Sequence, residues 1–150
     1  MDGVQLVDLT KDNWKQVAAL QVAPGQESFV ASNLKTIAET QFEPSAVRRV
    51  IMNGDIPVGL AAYAIDPDDN ELWLWRFMIS GSEQGKGYGR AALRMLIDEW
   101  RGLPACARVF VGYKPENTAA ESLYVSVGFV PQRMVEWGER IARLELAVPP

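Results

Sequence analysis

A chain of 150 residues with 48% hydrophobic content can bury about two-thirds of its unfolded surface, which fits one domain over residues 1–150. It has no histidine and a single cysteine, which excludes an internal disulfide and any Ser-His-Asp, Cys-His or His-rich metal site built from this chain alone, so no metal is expected. Its 15 Lys and Arg against 19 Asp and Glu leave a net charge of −4, which offers nucleic acid no basic surface and mildly favours a cationic substrate.

Met1-Asp2-Gly3 has no basic region leading into an apolar core, and no apolar run approaches the roughly 18 residues of a membrane helix. A cytoplasmic protein without membrane contact is therefore expected. A strand is predicted over residues 4–9, and Thr10 can cap a helix whose apolar positions Trp14, Val17, Ala18 and Leu20 have helical spacing. Pro24-Gly25 breaks the chain. A second helix follows from Val30, Leu34, Ile37 and Ala38 and ends before Pro44. Asn53-Gly54 is a strong hairpin signal joining strands over 47–52 and 56–65, in which Pro57 fits only an edge or a strand start. Asp66-Pro67-Asp68-Asp69-Asn70 is the next turn. The strand over 72–79 would set Trp73, Trp75 and Phe77 on one face by simple alternation. An amphipathic helix over 90–101 stops at Gly102 with Pro104 just beyond, and a strand over 108–113, a helix and two strands complete the order. Cys106, among Ala105, Ala107 and Val109, reads as core packing.

Between the strand over 72–79 and the helix over 90–101 lie Gln84-Gly85-Lys86-Gly87-Tyr88-Gly89, followed by Arg90. The first turn of a helix has backbone N–H groups without intrahelical partners and the positive end of the dipole, so this turn is either a phosphate cradle or only a tight connection. Two nucleotide motifs fail. A P-loop needs Ser or Thr after Gly-Lys, where this chain has Gly87, and a dinucleotide fingerprint needs its third glycine where Arg90 stands. Downstream, Asn117, Ala120, Leu123, Tyr124, Gly128 and Phe129 form a second constellation.

The two motifs in order, Gln-x-x-Gly-x-Gly and Asn-x-x-Ala-x-x-Leu-Tyr-x-x-x-Gly-Phe, resemble the GCN5-related N-acetyltransferase superfamily over roughly residues 46–146. The resemblance implies an α/β (α+β) fold, a mixed, mostly antiparallel sheet of about six or seven strands flanked by about four helices, with two strands splayed to admit acetyl-CoA. It implies that Gln84, Gly85, Lys86, Gly87, Tyr88, Gly89 and Arg90 bind the pyrophosphate. Met78 and Ile79 would lie along the pantetheine arm, Asn117 would contact the cofactor, and Tyr124 would be the general acid.

The implied reaction is acyl transfer from a thioester to a primary amine. An alkylammonium of pKa near 10.4 must first lose a proton, at a cost of about 4 to 5 kcal/mol at pH 7. Attack gives an oxyanion that a backbone N–H in the segment 77–79 can stabilise. Tyr124 can donate to the departing thiolate, but a phenol near pKa 10 is a weaker acid than a thiol near 8.5, so full transfer runs uphill by about 2 kcal/mol. No base is assigned. Glu27, Asp66 and Glu71 are candidates acting through water, and Trp75 is a candidate cation–π platform.

The stretches 26–31 and 75–79 loosely resemble the diamine and spermine/spermidine acetyltransferase-like branch. Glu27, Glu39 and Glu43 in the helical segment, with Asp66, Asp68, Asp69 and Glu71, would suit a polycationic small-molecule acceptor. A protein N-terminus, a lysine or an aminoglycoside remains an alternative acceptor, and a non-catalytic acyl-CoA sensor is the alternative of another class. A homodimer is left open.

Overall fold

The computed structural model describes residues 3–104 and 106–146. Its elements follow the predicted order: β1 (Val4–Asp8), α1 (Trp14–Ala18), α2 (Asn33–Thr40), β2 (Val47–Asn53), β3 (Ile56–Ile65), β4 (Leu72–Ile79), a 3₁₀ turn (Gly81–Glu83), α3 (Tyr88–Arg101), β5 (Arg108–Tyr113), α4 (Thr118–Ser126), β6 (Val130–Met134) and β7 (Arg140–Glu145). The 7 strands form one sheet in the order β1-β2-β3-β4-β5-β7-β6, antiparallel except where β4 meets β5.

Two local expectations shift. The first helix is capped at Asn13 rather than Thr10: the Asn13 side chain accepts the Thr10 N–H at 2.8 Å, which holds residues 10–13 in a turn and delays the helix by one turn. The hairpin turn is Gly54-Asp55, since Asn53 still pairs with Ile56, and Gly54 takes the left-handed conformation at φ 59°. Pro57 does stand at the start of β3, next to a register shift where its missing N–H is tolerated.

Apolar residues on the two sheet faces build two cores. On one face Leu72, Leu74, Phe77 and Ile79 of β4 meet Leu93, Leu96 and Trp100 of α3 and Tyr124 of α4. Trp100 is fully buried and edge-on to Tyr63 with ring centroids 5.6 Å apart. Each such side chain contributes roughly 1.5 to 3 kcal/mol. On the other face Val50, Leu60 and Met78 meet Val17 of α1 and Ile37 of α2.

The β3–β4 register slips between Ala62 and Tyr63: Ala62 opposes Arg76 while Tyr63 opposes Leu74, so Trp75 is an extra residue in a bulge. This overturns the single face expected for Trp73, Trp75 and Phe77. After the bulge Phe77 joins Leu72, Leu74 and Ile79 in the α3-facing core, while Trp73 stacks on Phe110 at 5.1 Å. The register also aims the backbone. The Ser80 N–H donates to Val58 C=O at 2.7 Å, and Met78, two residues back, faces β3 in the same way. Phe77 and Ile79 therefore turn their N–H and C=O groups away from β3.

Away from β3 lies a gap. The parallel pairing of β4 with β5 ends at Leu74 and Val111, although β4 runs on to Ile79 and β5 to Tyr113. Beyond that point the strands splay apart.

Candidate active site

The splay opens into a cavity of about 700 Å³ between β4, α3 and α4. It adjoins a second cavity of about 380 Å³ on the β5 side, and Phe29, Phe77, Asn117 and Tyr124 line both. At one end of the larger cavity is the entrance to α3. Gly85 and Gly87 hold φ 78° and 93°, conformations that side-chain-bearing residues rarely take, and Gly87 is the N-cap. The first intrahelical bond runs from the Ala91 N–H to Gly87 C=O at 3.1 Å, leaving the N–H groups of Tyr88, Gly89 and Arg90 without helical partners beside the cavity. Arg90 and Arg94, one turn apart on the exposed surface of α3, line it as well. Free amides, a helix N-terminus and two guanidinium groups fit a diphosphate.

Of the motif residues, Met78, Ile79, Gln84, Gly85, Gly87, Tyr88, Gly89, Arg90, Asn117 and Tyr124 all line the larger cavity. Lys86 does not: its Nζ meets Glu83, a residue of the lining, at 3.1 Å. Gln84 is spent on the scaffold. Its amide exchanges hydrogen bonds with Gln26 at 2.8 and 3.1 Å and donates to Ile79 C=O at 2.9 Å, tying the end of β4 to the loop before α2. Gly89 also serves packing, since a Cβ there would lie 3.1 Å from Leu123 Cδ2 on α4. The Asn117 side-chain oxygen accepts the Ala120 N–H at 3.2 Å and so caps α4, which fixes where that helix starts.

Tyr124, two turns beyond Asn117 on α4, is buried against Phe77, Tyr113 and Phe129, with ring centroids 6.4, 5.6 and 5.6 Å away. Burial, and then the neighbouring Tyr113, push its hydroxyl above the usual phenol range, so at neutral pH it holds its proton and is a donor. Tyr113 is itself pushed up to about 12 by burial and by its hydrogen bond to Glu121 at 3.1 Å.

The four acceptor-side candidates fare differently. Trp75 lines the smaller cavity. Asp66 and Glu71 stand at the far end of β4, about 20 Å from Phe77 at the usual rise per residue, because strand polarity puts that turn opposite the splay. The Asp66 carboxylate accepts the Asp68 N–H at 2.7 Å, and Glu71 pairs with Arg108 at 3.5 Å. Glu27 lies in the loop flanking the cavity, but its carboxylate accepts the Gly25 N–H at 2.9 Å and is not part of the lining. None of Asp66, Glu71 and Glu27 lines either cavity. The sequence reading missed Gln26, Arg94, Tyr113 and Glu139. Arg94 had a signal, four residues after Arg90 on one helix face; the others are brought in from separate loops and strands with no local pattern.

The acetyltransferase (GNAT) family model matches residues 14–129 of the chain. The chain belongs to this family. It is an acetyl-CoA-dependent N-acetyltransferase. Among curated proteins it is 30% identical over 152 aligned positions to the spermine/spermidine N(1)-acetyltransferase of Bacillus subtilis strain 168, covering 95% of this chain and 99% of that one. A probable spermine N(1)-acetyltransferase of B. subtilis subsp. natto matches equally, at 30% identity with 95% and 99% covered. Solved structures share the fold at lower identity. A spermidine N-acetyltransferase of Vibrio cholerae in complex with CoA and spermine superposes with a TM-score of 0.75 at 18% identity, covering 95% and 94% of the two chains. The ribosomal-protein-S18-alanine N-acetyltransferase of Escherichia coli gives 0.74 at 21%, covering 98% and 96%. An aminoglycoside acetyltransferase with coenzyme A gives 0.79 at 16%, covering 95% and 94%. Three acceptors on one scaffold mean that the fold does not choose among them.

Proposed function

We propose that this enzyme acetylates a primary amine of a small di- or polyamine and that Tyr124 serves the departing thiolate. The observation that carries the acceptor is the match over 95% of the chain to the B. subtilis spermine/spermidine enzyme. When bound, acetyl-CoA supplies an acyl group activated as a thioester. The amides of Tyr88, Gly89 and Arg90, with the Arg90 and Arg94 guanidinium groups, would hold its diphosphate at the larger cavity. The Phe77 and Ile79 N–H groups both face the gap and are the donors available to a developing oxyanion, while the Ile79 carbonyl accepts from Gln84. Tyr124 borders both cavities and donates a hydrogen bond where charge builds on sulfur. With its pKa raised, complete proton transfer is steeper than the about 2 kcal/mol separating an ordinary phenol from a thiol. Hydrogen bonding is its main contribution.

The test is acetyl-CoA-dependent thiol release across spermidine, spermine, a monoamine, a tripeptide and an aminoglycoside. Highest kcat/KM for the polyamines is expected. Turnover confined to the peptide or the aminoglycoside would replace the acceptor, and no thiol release with any amine would favour a sensor.

A further inference from the structure

The smaller cavity on the β5 side contains a carboxylate from an unforeseen place. Gly112, within β5, has no positive φ, so its backbone does not call for glycine. A Cβ there would stand 3.0 Å from Glu139 Oε1 and 3.5 Å from Glu139 Cδ. The absent side chain leaves space for the carboxylate to lie against the strand. Gly112 directly follows Val111, the last residue of β5 paired with β4, so the carboxylate sits where the sheet opens. Trp75, Tyr113 and Tyr124 line the same cavity.

Among the described residues Glu139 is the only acidic one in that lining. Its Oε1 accepts the indole N–H of Trp137 at 2.7 Å, and Trp137 is 64% exposed beside it. No ion pair among the described residues involves Glu139. The nearby carboxylates are committed: Glu121 to Tyr113 and Arg140, and Glu39 to Arg76 and Lys35. Of the cavity's cations, Lys35 and Arg76 share the single negative charge of Glu39, which leaves one positive charge between them, while Lys114 forms no ion pair among the described residues. A carboxylate with one oxygen uncommitted, held by an indole N–H on its other oxygen, suits an alkylammonium through charge-assisted hydrogen bonding, and Trp75 is the indole that lines the same cavity. Lys114 opposes it.

We infer that Glu139, held by the Trp137 N–H, binds the second, non-reacting ammonium of the acceptor and so selects diamines over monoamines. The inference deepens the polyamine reading and rests on it for the acceptor class, but it assigns the selecting charge to the β6–β7 hairpin. The acidic turn at 66–71 and the helical-segment glutamates are not part of it.

The experiment combines calorimetric titration of spermidine into CoA-saturated protein with initial rates on spermidine and n-butylamine. Glu139→Gln should weaken spermidine binding by roughly tenfold, as expected for one charge-assisted contact, and lower the spermidine-to-butylamine ratio of kcat/KM by a similar factor. Lys114→Gln should move both in the opposite direction. If Glu139→Gln does not fold, Lys114→Gln alone decides, and unchanged affinity in it overturns the inference. Wild type that acetylates spermidine, with affinity indifferent to either substitution, keeps the polyamine reading and overturns the ammonium site. Wild type that binds spermidine through Glu139 without acetylating it keeps the site and removes the polyamine reading. No spermidine binding by wild type overturns the inference.

Discussion

At the scale of single residues, Tyr124 carries the sharpest expectation. It is buried among three aromatic rings, so Tyr124→Phe keeps the ring, its packing and the walls of the larger cavity. What is removed is the one donor proposed to serve the departing thiolate. CoA affinity measured by calorimetry should be unchanged while kcat falls by at least about tenfold, since a positioned acid typically contributes 10²- to 10⁴-fold. Equal turnover would reduce Tyr124 to a packing residue. The direction of its pKa adds a second check. Because burial raises it, the donor form persists past the ordinary phenol value near 10, and the ratio of wild-type to Tyr124→Phe kcat should stay flat from pH 7 to about 10. A loss of that ratio with an apparent pKa below 9 would mean that Tyr124 gives up its proton there and that burial does not hold it.

At the scale of elements, the entrance to α3 joins local strain to function. Gly87 caps a 14-residue helix from φ 93°, and a β-branched residue there costs on the order of 1 to 3 kcal/mol in backbone strain. Relieving that strain re-aims the amides of Tyr88 and Gly89. Gly87→Val should therefore lower CoA affinity at least roughly tenfold while the protein still unfolds cooperatively, with a midpoint only a few degrees lower. Calorimetry on the folded variant that shows unchanged binding would separate the turn from the diphosphate. This turn was legible in the sequence because its glycines and flanking periodicities are local. The β4 bulge was not, because period-2 alternation assumes an unbroken ladder, and the extra residue Trp75 is visible only against its β3 partners. For the same reason the three tryptophan and phenylalanine side chains of β4 were assigned to one face. Gln84 was legible as part of a motif but not in its scaffold role, which depends on Gln26, 58 residues away.

At the scale of the whole molecule, the sheet divides into a side that the sequence describes well and a side that it does not. The larger cavity, proposed for the cofactor, is built mostly from the β4–α3 segment and the first turns of α4, closed by residues of the loop before α2. The smaller cavity, proposed for the acceptor, gathers the loop before α2, the β4 bulge, the end of β5 and the β6–β7 hairpin, so its charges could be judged only once these were assembled. The acidic turn at 66–71, prominent in the sequence, proved to be at the opposite end of β4. The way these layers close also buries three phenols: Tyr63 against Glu99 and Trp100, Tyr113 against Glu121, and Tyr124 between β4 and β5. All three are raised above the ordinary value, first by burial, with Tyr113 at about 12. A phenol raised in the folded state gives its full stabilisation below the unfolded value near 10 and loses it as pH climbs through the folded value. Between pH 10 and 12 unfolded tyrosines ionise while folded ones stay protonated, so unfolding releases protons and stability falls. The urea midpoint should therefore be level from pH 8 to about 9.5 and drop steadily above 10, together with the rise in tyrosinate absorbance. Lysines also titrate there, so the control is a Tyr63→Phe, Tyr113→Phe double variant, which should show a shallower drop at the cost of two hydrogen bonds. Parallel slopes in the variant and the wild type would mean that the buried tyrosines do not set the alkaline limit.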